Sequence, residues 1–433
     1  METLIAKKTI NLIDNKKCVV GIIGLGYVGL PLSILFAKNN FEIIGFDIDK
    51  KKISKIKKNN SYIERISNKD VSLINQKGKF YSNFSNIRKC DIIIICVPTP
   101  LKNNQTPDLS FIKKTISSIK NFLKKGQVLI LESTSYPGTT EEEIYQKIKD
   151  KFKIGNEFFL GFSSERIDPG VNENSIQKIP KVVSGYSENC LEIISNFYSK
   201  SFNKIVESKS IEIAEFSKLL ENIYRSINIG FINEMKVLAD KMNLDIFDII
   251  DVANTKPYGF RRFFPGPGIG GHCIPVDPNY LYWKSVKVGL PAKFIKLSAQ
   301  TNILVLNFIM KKILKNLKLS KISLTKSKIL ILGLSYKKNL DDIRESASVK
   351  LINNLFKKGV KNISIHDPYS EGKILSKKIK KTKHLNPKVL KGFDIVVLMT
   401  DHDLFDYDLI KNNSKLIIDC RGRFEAKNNV QRG

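Results

Sequence analysis

Histidine is scarce in this chain, four among 433 residues, and the four are scattered at 272, 366, 384 and 402. A metal centre needs three or four ligands brought together, so no metal is expected; His272 beside Cys273 has no further ligands at a metal-site spacing. Cysteine is as thinly spread. Cys18, Cys90, Cys96, Cys190, Cys273 and Cys420 contain no CxxC pair, which argues against a disulfide framework. Long apolar runs are missing too. The most apolar stretch, 303–310, falls short of the ~20 residues that span a bilayer, and 1–17 has no unbroken apolar core of a signal peptide. A cytoplasmic protein with no membrane association is therefore expected. Acid is the scarcer charge, 42 Asp and Glu against 72 Lys and Arg, for a net charge of +30. Clustered cations would suggest nucleic acid. Here lysine runs along the whole chain with few aromatic-interleaved basic clusters, so no nucleic-acid partner is expected. Runs such as 50–52 read as solvated helix faces, and a basic surface would attract an anionic nucleotide.

What is present is a 42% hydrophobic chain long enough for about three domains at ~150 residues each. The runs CVVGIIG at 18–24, EIIGFD at 42–47, DIIIICV at 91–97, QVLILE at 127–132 and FFLGFS at 158–163 read as buried parallel strands separated by helix-length segments. From about 211 the period becomes helical, through Ile213, Phe216, Leu219, Leu220, Ile223, Tyr224, Ile227 and Phe231, and a second apolar helix covers about 292–317. Strand patterns return at 328–333, 362–367, 394–399 and 415–419. The fold class expected is α/β, with two Rossmann-like doubly wound parallel-sheet domains joined by a helical middle domain. Residues 1–210, 211–318 and 319–433 form the three parts.

The chemistry sits at the strand ends. The first strand runs into Gly24-Leu25-Gly26-Tyr27-Val28-Gly29, and Asp47 ends the second strand 23 residues after Gly24. In a dinucleotide-binding fold the first Gly makes the turn, the second admits the pyrophosphate, the third packs helix on strand, and the acid holds ribose hydroxyls. The carboxylate at 47 points to NAD over NADP, because it would repel a 2′-phosphate. Two later strand ends, 97–100 (VPTP, containing Thr99) and 132–138 (ESTSYPG, containing Thr134), are polar where such a sheet receives ligands, and Glu165 in the 163–166 stretch is a carboxylate able to accept a proton through water. Lys218, Asn222 and Arg225 share one stripe of a helix, where a buried cation and amide could steady an oxyanion. The segment 266–278 packs four glycines and three prolines into thirteen residues around one thiol, Cys273, a backbone able to approach a ligand closely. In the last third, the turn at Gly333 followed by Lys337 and Arg344 suits a second, phosphate-bearing ligand.

Taken in order, these stretches resemble the UDP-glucose/GDP-mannose dehydrogenase family over nearly the whole chain. The matching motifs are the dinucleotide fingerprint at 24–31, VPTP at 97–100, STxxPGTT at 133–140, KxxEN at 218–222, GGHCIPVDP at 270–278 and YKxxxxDxRES at 336–346. Ser164 and Ala347 stand where the family often has Pro. The stretches 165–166, 180–185 and 264–284 look most like the UDP-N-acetylglucosamine 6-dehydrogenase branch. The resemblance implies NAD-dependent four-electron oxidation of a UDP-sugar C6 alcohol to a uronate used in surface polysaccharide, with Cys273 as covalent nucleophile. It further implies that Lys218 and Asn222 steady the oxyanion while Asp277, Glu165 and Thr134 manage protons and water. Gly24, Gly26, Tyr27, Val28, Gly29, Asp47, Thr99 and Thr134 would seat NAD. Glu165, Arg166, Lys218, Asn222, Phe264, Gly270, Gly271, Lys337 and Arg344 would meet the substrate, and a homo-oligomer, at least a dimer, would form through the middle helices. The nearest rival is a single-hydride dehydrogenase of the 3-hydroxyacid type, which needs no thiol.

Overall fold

The β-branched runs become the centres of two sheets in the computed structural model, which describes residues 3–63, 65–166, 173–271, 273–370 and 379–433; His272 lies outside the described residues. The chain divides into two compact units, one of residues 1–221 and 279–289, the other of 222–278 and 290–433.

In the first unit the strands are β1 (Val19–Ile23), β2 (Glu42–Phe46), β3 (Gly78–Tyr81), β4 (Ile92–Ile95), β5 (Val128–Leu131), β6 (Phe159–Ser163), β7 (Lys181–Gly185) and β8 (Ile205–Glu207). They form one sheet in the order β3-β2-β1-β4-β5-β6-β7-β8, with β6 and β7 antiparallel and every other pair parallel. Register aligns Val20 with Ile43 on one side and Ile92 on the other. The four isoleucines of β4 are each 0% exposed, so an unbroken apolar run here is a strand covered on both faces rather than an alternating one. The strand order reverses direction of growth between β1 and β4, which opens the crevice where such sheets bind ligands.

The second unit holds β9 (Lys328–Leu332), β10 (Asn362–His366), β11 (Lys380–Lys381), β12 (Ile395–Leu398), β13 (Ile417–Asp419) and β14 (Val430–Arg432) in the order β11-β10-β9-β12-β13-β14, all parallel. Its core includes Leu330, Leu332, Val396, Leu398 and Ile417 on one face, and Ile329, Ile331, Leu351 and Ile418 on the other. The two sheets repeat one device. Gly24 and Gly333 both take positive φ, +94° and +85°, and the next residue's N–H, Leu25 or Leu334, donates to the carboxylate that follows the second strand, Asp47 or Asp367, at 2.9 and 2.6 Å.

The long helix Ile211–Lys241 and the helix Lys293–Leu319 supply the helical stretch. The first of them is turned partly against its hydropathy. Ile213, Phe216, Leu220, Tyr224, Phe231 and Leu238 are 43% exposed or more, whereas Glu215, Lys218, Asn222, Ser226, Asn233 and Lys236 are buried beside Leu219, Ile223 and Ile232. Among the described residues no helix is long and apolar enough to cross a membrane.

Candidate active site

The glycine turn after β1 has three distinct jobs. A Cβ at Gly24 would lie 2.6 Å from the Cys96 carbonyl oxygen, and one at Gly29 would lie 2.0 Å from that of Gly24, so both positions are closed to any side chain. A Cβ at Gly26 would meet nothing within 4 Å. That open face stands before the N-terminus of the helix Gly29–Lys38, whose unpaired N–H groups favour a pyrophosphate. Asp47, 7% exposed, accepts from the N–H of Leu25 and of Asp49, both at 2.9 Å, and pairs with Lys52 at 3.0 Å. Lys52 was expected among solvated lysines; its partner draws it in. Tyr27 is exposed and Val28 half-buried at the turn, and Thr99 is buried just beyond β4. These residues fit NAD: a turn packed too tightly on backbone for a side chain at 24 or 29, an open face at 26, and a carboxylate at the second strand's end.

Thr134 is half-buried in the loop after β5. That loop is tied down by two groups the sequence reading passed over. Ser133 donates to the Val97 carbonyl at 2.8 Å, and Glu215, 0% exposed, accepts from Gly138 N, Thr140 N and the Thr140 hydroxyl at 2.6, 2.9 and 2.7 Å. Burial pushes the Glu215 carboxyl up to about 7, while the Thr140 and Gly138 donors work the other way. Glu165 follows β6 and faces Lys181 at 3.8 Å; Lys181 also pairs with Glu132 at 3.0 Å, and the Tyr198 hydroxyl donates to Glu132. Burial raises the Glu132 carboxyl, and the two flanking carboxylates keep Lys181 charged against the pull of its own burial. Arg166 makes a forked pair with Glu221, at 2.6 and 3.2 Å, so the Glu of KxxEN serves that arginine. Lys218 is 9% exposed, and among the described residues no carboxylate pairs with it. Arg225, on the same stripe, is exposed.

In the second unit, Asn222 donates to Asp277 at 2.5 Å, and the Asp277 N–H donates to the Cys273 carbonyl at 2.8 Å. Asp277 is 2% exposed and begins the helix Asp277–Lys287; Cys273 is half-buried and, like the other five cysteines, not in a disulfide. The acid and the amide are therefore joined through their side chains, and the acid is joined to Cys273 through the backbone. The loop glycines do something the sequence did not announce. A Cβ at Gly270 would lie 2.5 Å from Tyr336 Cβ, and one at Gly271, φ +90°, would lie 2.9 Å from the Tyr336 ring, while the Gly271 N–H donates to the Arg344 carbonyl at 3.0 Å. Close approach here seats Tyr336. Phe264 is 51% exposed, with the Arg262 guanidinium over its ring at 4.8 Å. Lys337 is half-buried, and the Arg344 side chain forks onto Asp342 at 3.0 and 2.6 Å.

A pocket in this unit is lined by Pro267, Gly268, Ser335, Ser348, Thr400 and Arg421, at the carboxyl ends of β9 and β12 and the N-terminus of the helix Ala347–Lys357. A cation and a helix N-terminus suit an anionic ligand. Arg421 was missed, although it stands two residues beyond the strand-end residue Asp419, where the rule that flagged 97–100 would have found it.

Three family models describe this chain in succession: the NAD binding domain of the UDP-glucose/GDP-mannose dehydrogenase family over residues 18–202, its central domain over 212–303 and its UDP binding domain over 330–426. The chain is 33% identical to Protein CapL of Staphylococcus aureus, covering 94% of this chain and 95% of that protein. It is 32% identical to the UDP-N-acetyl-D-glucosamine 6-dehydrogenase of Pseudomonas aeruginosa, over 82% and 83% of the two chains. Among solved structures it resembles the UDP-D-ManNAc dehydrogenase of Pyrococcus horikoshii, with a TM-score of 0.85 and 28% identity over 94% and 96% of the two chains. The glycine turn, the thiol loop and the pocket beside Arg421 thus belong to a member of the UDP-glucose/GDP-mannose dehydrogenase family, an NAD-dependent nucleotide-sugar dehydrogenase.

Proposed function

We propose that the protein oxidises the C6 alcohol of a UDP-N-acetylhexosamine, UDP-N-acetylglucosamine foremost, to the carboxylate, working in the cytoplasm and feeding surface polysaccharide synthesis. The observation that supports this reading is the chain Asn222 to Asp277 to the Cys273 backbone, at 2.5 and 2.8 Å, which ties the residue bearing a half-buried thiol to an acid that an amide holds in turn. NAD+, when bound, supplies the acceptor for one hydride at each of two oxidation levels. Lys218 and Asn222 steady the oxyanion formed when the alcohol, and later the tetrahedral adduct, gives up its proton. An aldehyde has no second hydride to lose until a nucleophile adds, so the Cys273 thiolate attacks the C6 carbonyl carbon and a C–S bond forms. Once that adduct is oxidised to a thioester, Glu165 and Asp277, with Thr134, orient a water and take its proton. Water adds, the C–S bond breaks, and thiolate and carboxylate separate. Residues 1–210 serve the cofactor, with Gly24, Gly26, Tyr27, Val28, Gly29, Asp47 and Thr99 around it. Residues 211–318 carry the catalytic helix and thiol loop, and 319–433 hold the uridine diphosphate. Arg166, Phe264, Gly270, Gly271, Lys337 and Arg344 shape the substrate's surroundings.

A second reading keeps the chemistry and changes the sugar to UDP-N-acetylmannosamine, favoured by the likeness to the Pyrococcus horikoshii structure. Purified protein offered UDP-GlcNAc, UDP-ManNAc, UDP-GalNAc, UDP-glucose and GDP-mannose should yield two NADH per sugar, fastest with UDP-GlcNAc. One NADH per sugar would return the single-hydride rival, and a faster rate with UDP-ManNAc would select the second reading.

The homo-oligomer belongs to the same proposal. The exposed stripe of Ile213, Phe216, Leu220, Tyr224 and Phe231 on the long helix is apolar surface that a second copy of this helix would cover. Sedimentation velocity should give the mass of two 49.2 kDa chains, and Phe231→Glu should return it to one. A monomeric wild type would remove this part of the reading.

A further inference from the structure

The helix that carries Asn222 also carries a buried lysine that the proposed chemistry does not use. Lys236 is 2% exposed, and its ammonium donates to the Gly266 carbonyl at 3.1 Å. One turn earlier on the same face, Asn233, 0% exposed, accepts from the Gly266 N–H through Oδ1 at 2.9 Å. Both polar groups of one residue are therefore gripped by two side chains at i and i+3 of a rigid helix. Gly266 is the first residue of the segment that runs to Cys273. A Cβ at Gly266 would lie 3.1 Å from Arg421 Nη1, so this peptide also abuts the arginine of the pocket at the ends of β9 and β12, and the next two residues, Pro267 and Gly268, line that pocket.

The grip is made with an expensive group. Among the described residues Lys236 makes no ion pair. The groups that face it are the Cys420 thiol, which burial holds protonated, the Arg421 guanidinium, Lys312, which is paired with Asp240, and Asp419, which is paired with Arg432. An ammonium without a carboxylate in such a place is penalised by lost hydration, and burial draws Lys236 down to about 8. A neighbouring arginine adds repulsion that an anion in the Arg421 pocket would relieve. Methionine would fill the same volume without a charge to desolvate, so packing alone gives no reason for lysine.

We propose that Lys236 is a positioning residue for nucleotide-sugar binding: with Asn233 it fixes the Gly266 peptide, and through it the Pro267–Gly268 wall of the pocket, at the expense of stability. The inference rests on the UDP-sugar reading only for its choice of ligand. A residue kept for fold alone and one kept for function part company in Lys236→Met. Here that variant is expected to melt at a higher temperature than wild type while hydrogen–deuterium exchange of the 264–271 peptide rises. The KM for the best UDP-sugar, or the Kd for UDP alone by calorimetry, should increase by about tenfold, the worth of one buried hydrogen bond to a charged donor, with kcat changed less. Lys236→Gln, which keeps a donor without the charge, should recover part of that loss. In wild type KM should climb as pH passes about 8, where Lys236 gives up its proton, and this limb should be missing from Lys236→Met. A lower melting temperature with unchanged KM would make Lys236 an ordinary structural residue, and unchanged exchange at 264–271 would remove the grip. A wild type that oxidises no UDP-sugar would sink the function reading, while melting, exchange and UDP binding would still decide the role of Lys236.

Discussion

Cys273→Ser is expected to lower formation of the carboxylate by ~10³-fold or more, the scale on which loss of a covalent nucleophile is felt. The serine hydroxyl has nearly the thiol's shape, and the bonds that Asp277 N and Val276 N donate to the Cys273 carbonyl, at 2.8 and 3.0 Å, are made to its backbone and do not depend on the side chain. The variant should therefore fold as wild type does. What changes is nucleophilicity: at neutral pH a hydroxyl without a strong adjacent base is scarcely ionised, whereas a thiol is partly thiolate. The first oxidation needs no covalent bond to the enzyme, so the variant should stop near the aldehyde, and the NADH count per sugar should fall from two toward one. A reactive-carbonyl probe would trap the product, and mass spectrometry of wild type quenched during turnover should show the sugar attached at Cys273. Full carboxylate formation by the serine variant would exclude the covalent role outright.

Lys181→Met should destabilise the first unit by ~3–5 kcal/mol, the usual loss when one partner of a buried pair is removed and its counter-charge is stranded. Lys181 is 3% exposed, and its ammonium sits 3.0 Å from Glu132 and 3.8 Å from Glu165, above the rings of Tyr198 and Phe202 at 5.1 and 5.3 Å. Methionine would satisfy the rings but not the acids. The pH dependence has a definite sign. Burial already raises the Glu132 carboxyl, and Lys181 is the largest influence opposing it. Without the cation the carboxyl rises further above its unfolded value, so the native state then prefers to hold a proton that the unfolded chain has released. Stability so gained is present below the unfolded value and lost as pH rises, and the deficit should accordingly be smaller at pH 5 than at pH 8. Trp283, the one tryptophan of the chain, packs on Tyr136 in this unit with ring centroids 4.9 Å apart, so its fluorescence in a urea titration reports the right part of the molecule. A deficit under ~1 kcal/mol, the scale of a surface ion pair, would mean that water reaches the cluster.

The nine strands expected from sequence all occur, because each carries its signal within six or seven residues, a contiguous apolar run in eight of them and the alternation Asn-Ile-Ser-Ile-His in β10. The strand β7 and the short edge strands β3, β8, β11 and β14 were not anticipated: Lys380–Lys381, for one, carries no apolar pattern at all and pairs with Ser364 and Ile365. Site residues divide in the same way. Gly24, Gly26, Gly29 and Asp47 were legible because turn, helix start and strand end are all local. Lys181 and Glu132 were not, since one begins β7 and the other follows β5, and only sheet order brings them together. Arg166 and Glu221 meet across a similar separation.

By itself the sequence determined the two α/β sheets, the dinucleotide turn and the thiol in its glycine-proline loop, since those depend on spacing along the chain. Tertiary structure alone decided which way the helix Ile211–Lys241 faces. By hydropathy its whole apolar stripe belongs inside, yet only part of it, Leu219, Ile223 and Ile232, is buried, and a polar stripe is buried beside it. The reason is what lies against it: Gly138 and Thr140 offer donors to Glu215, Asp277 accepts from Asn222, and Gly266 offers both its amide groups to Asn233 and Lys236. Polar side chains that meet loop backbone and a buried carboxylate keep their hydrogen bonds when water leaves, so their burial costs far less than hydropathy assumes.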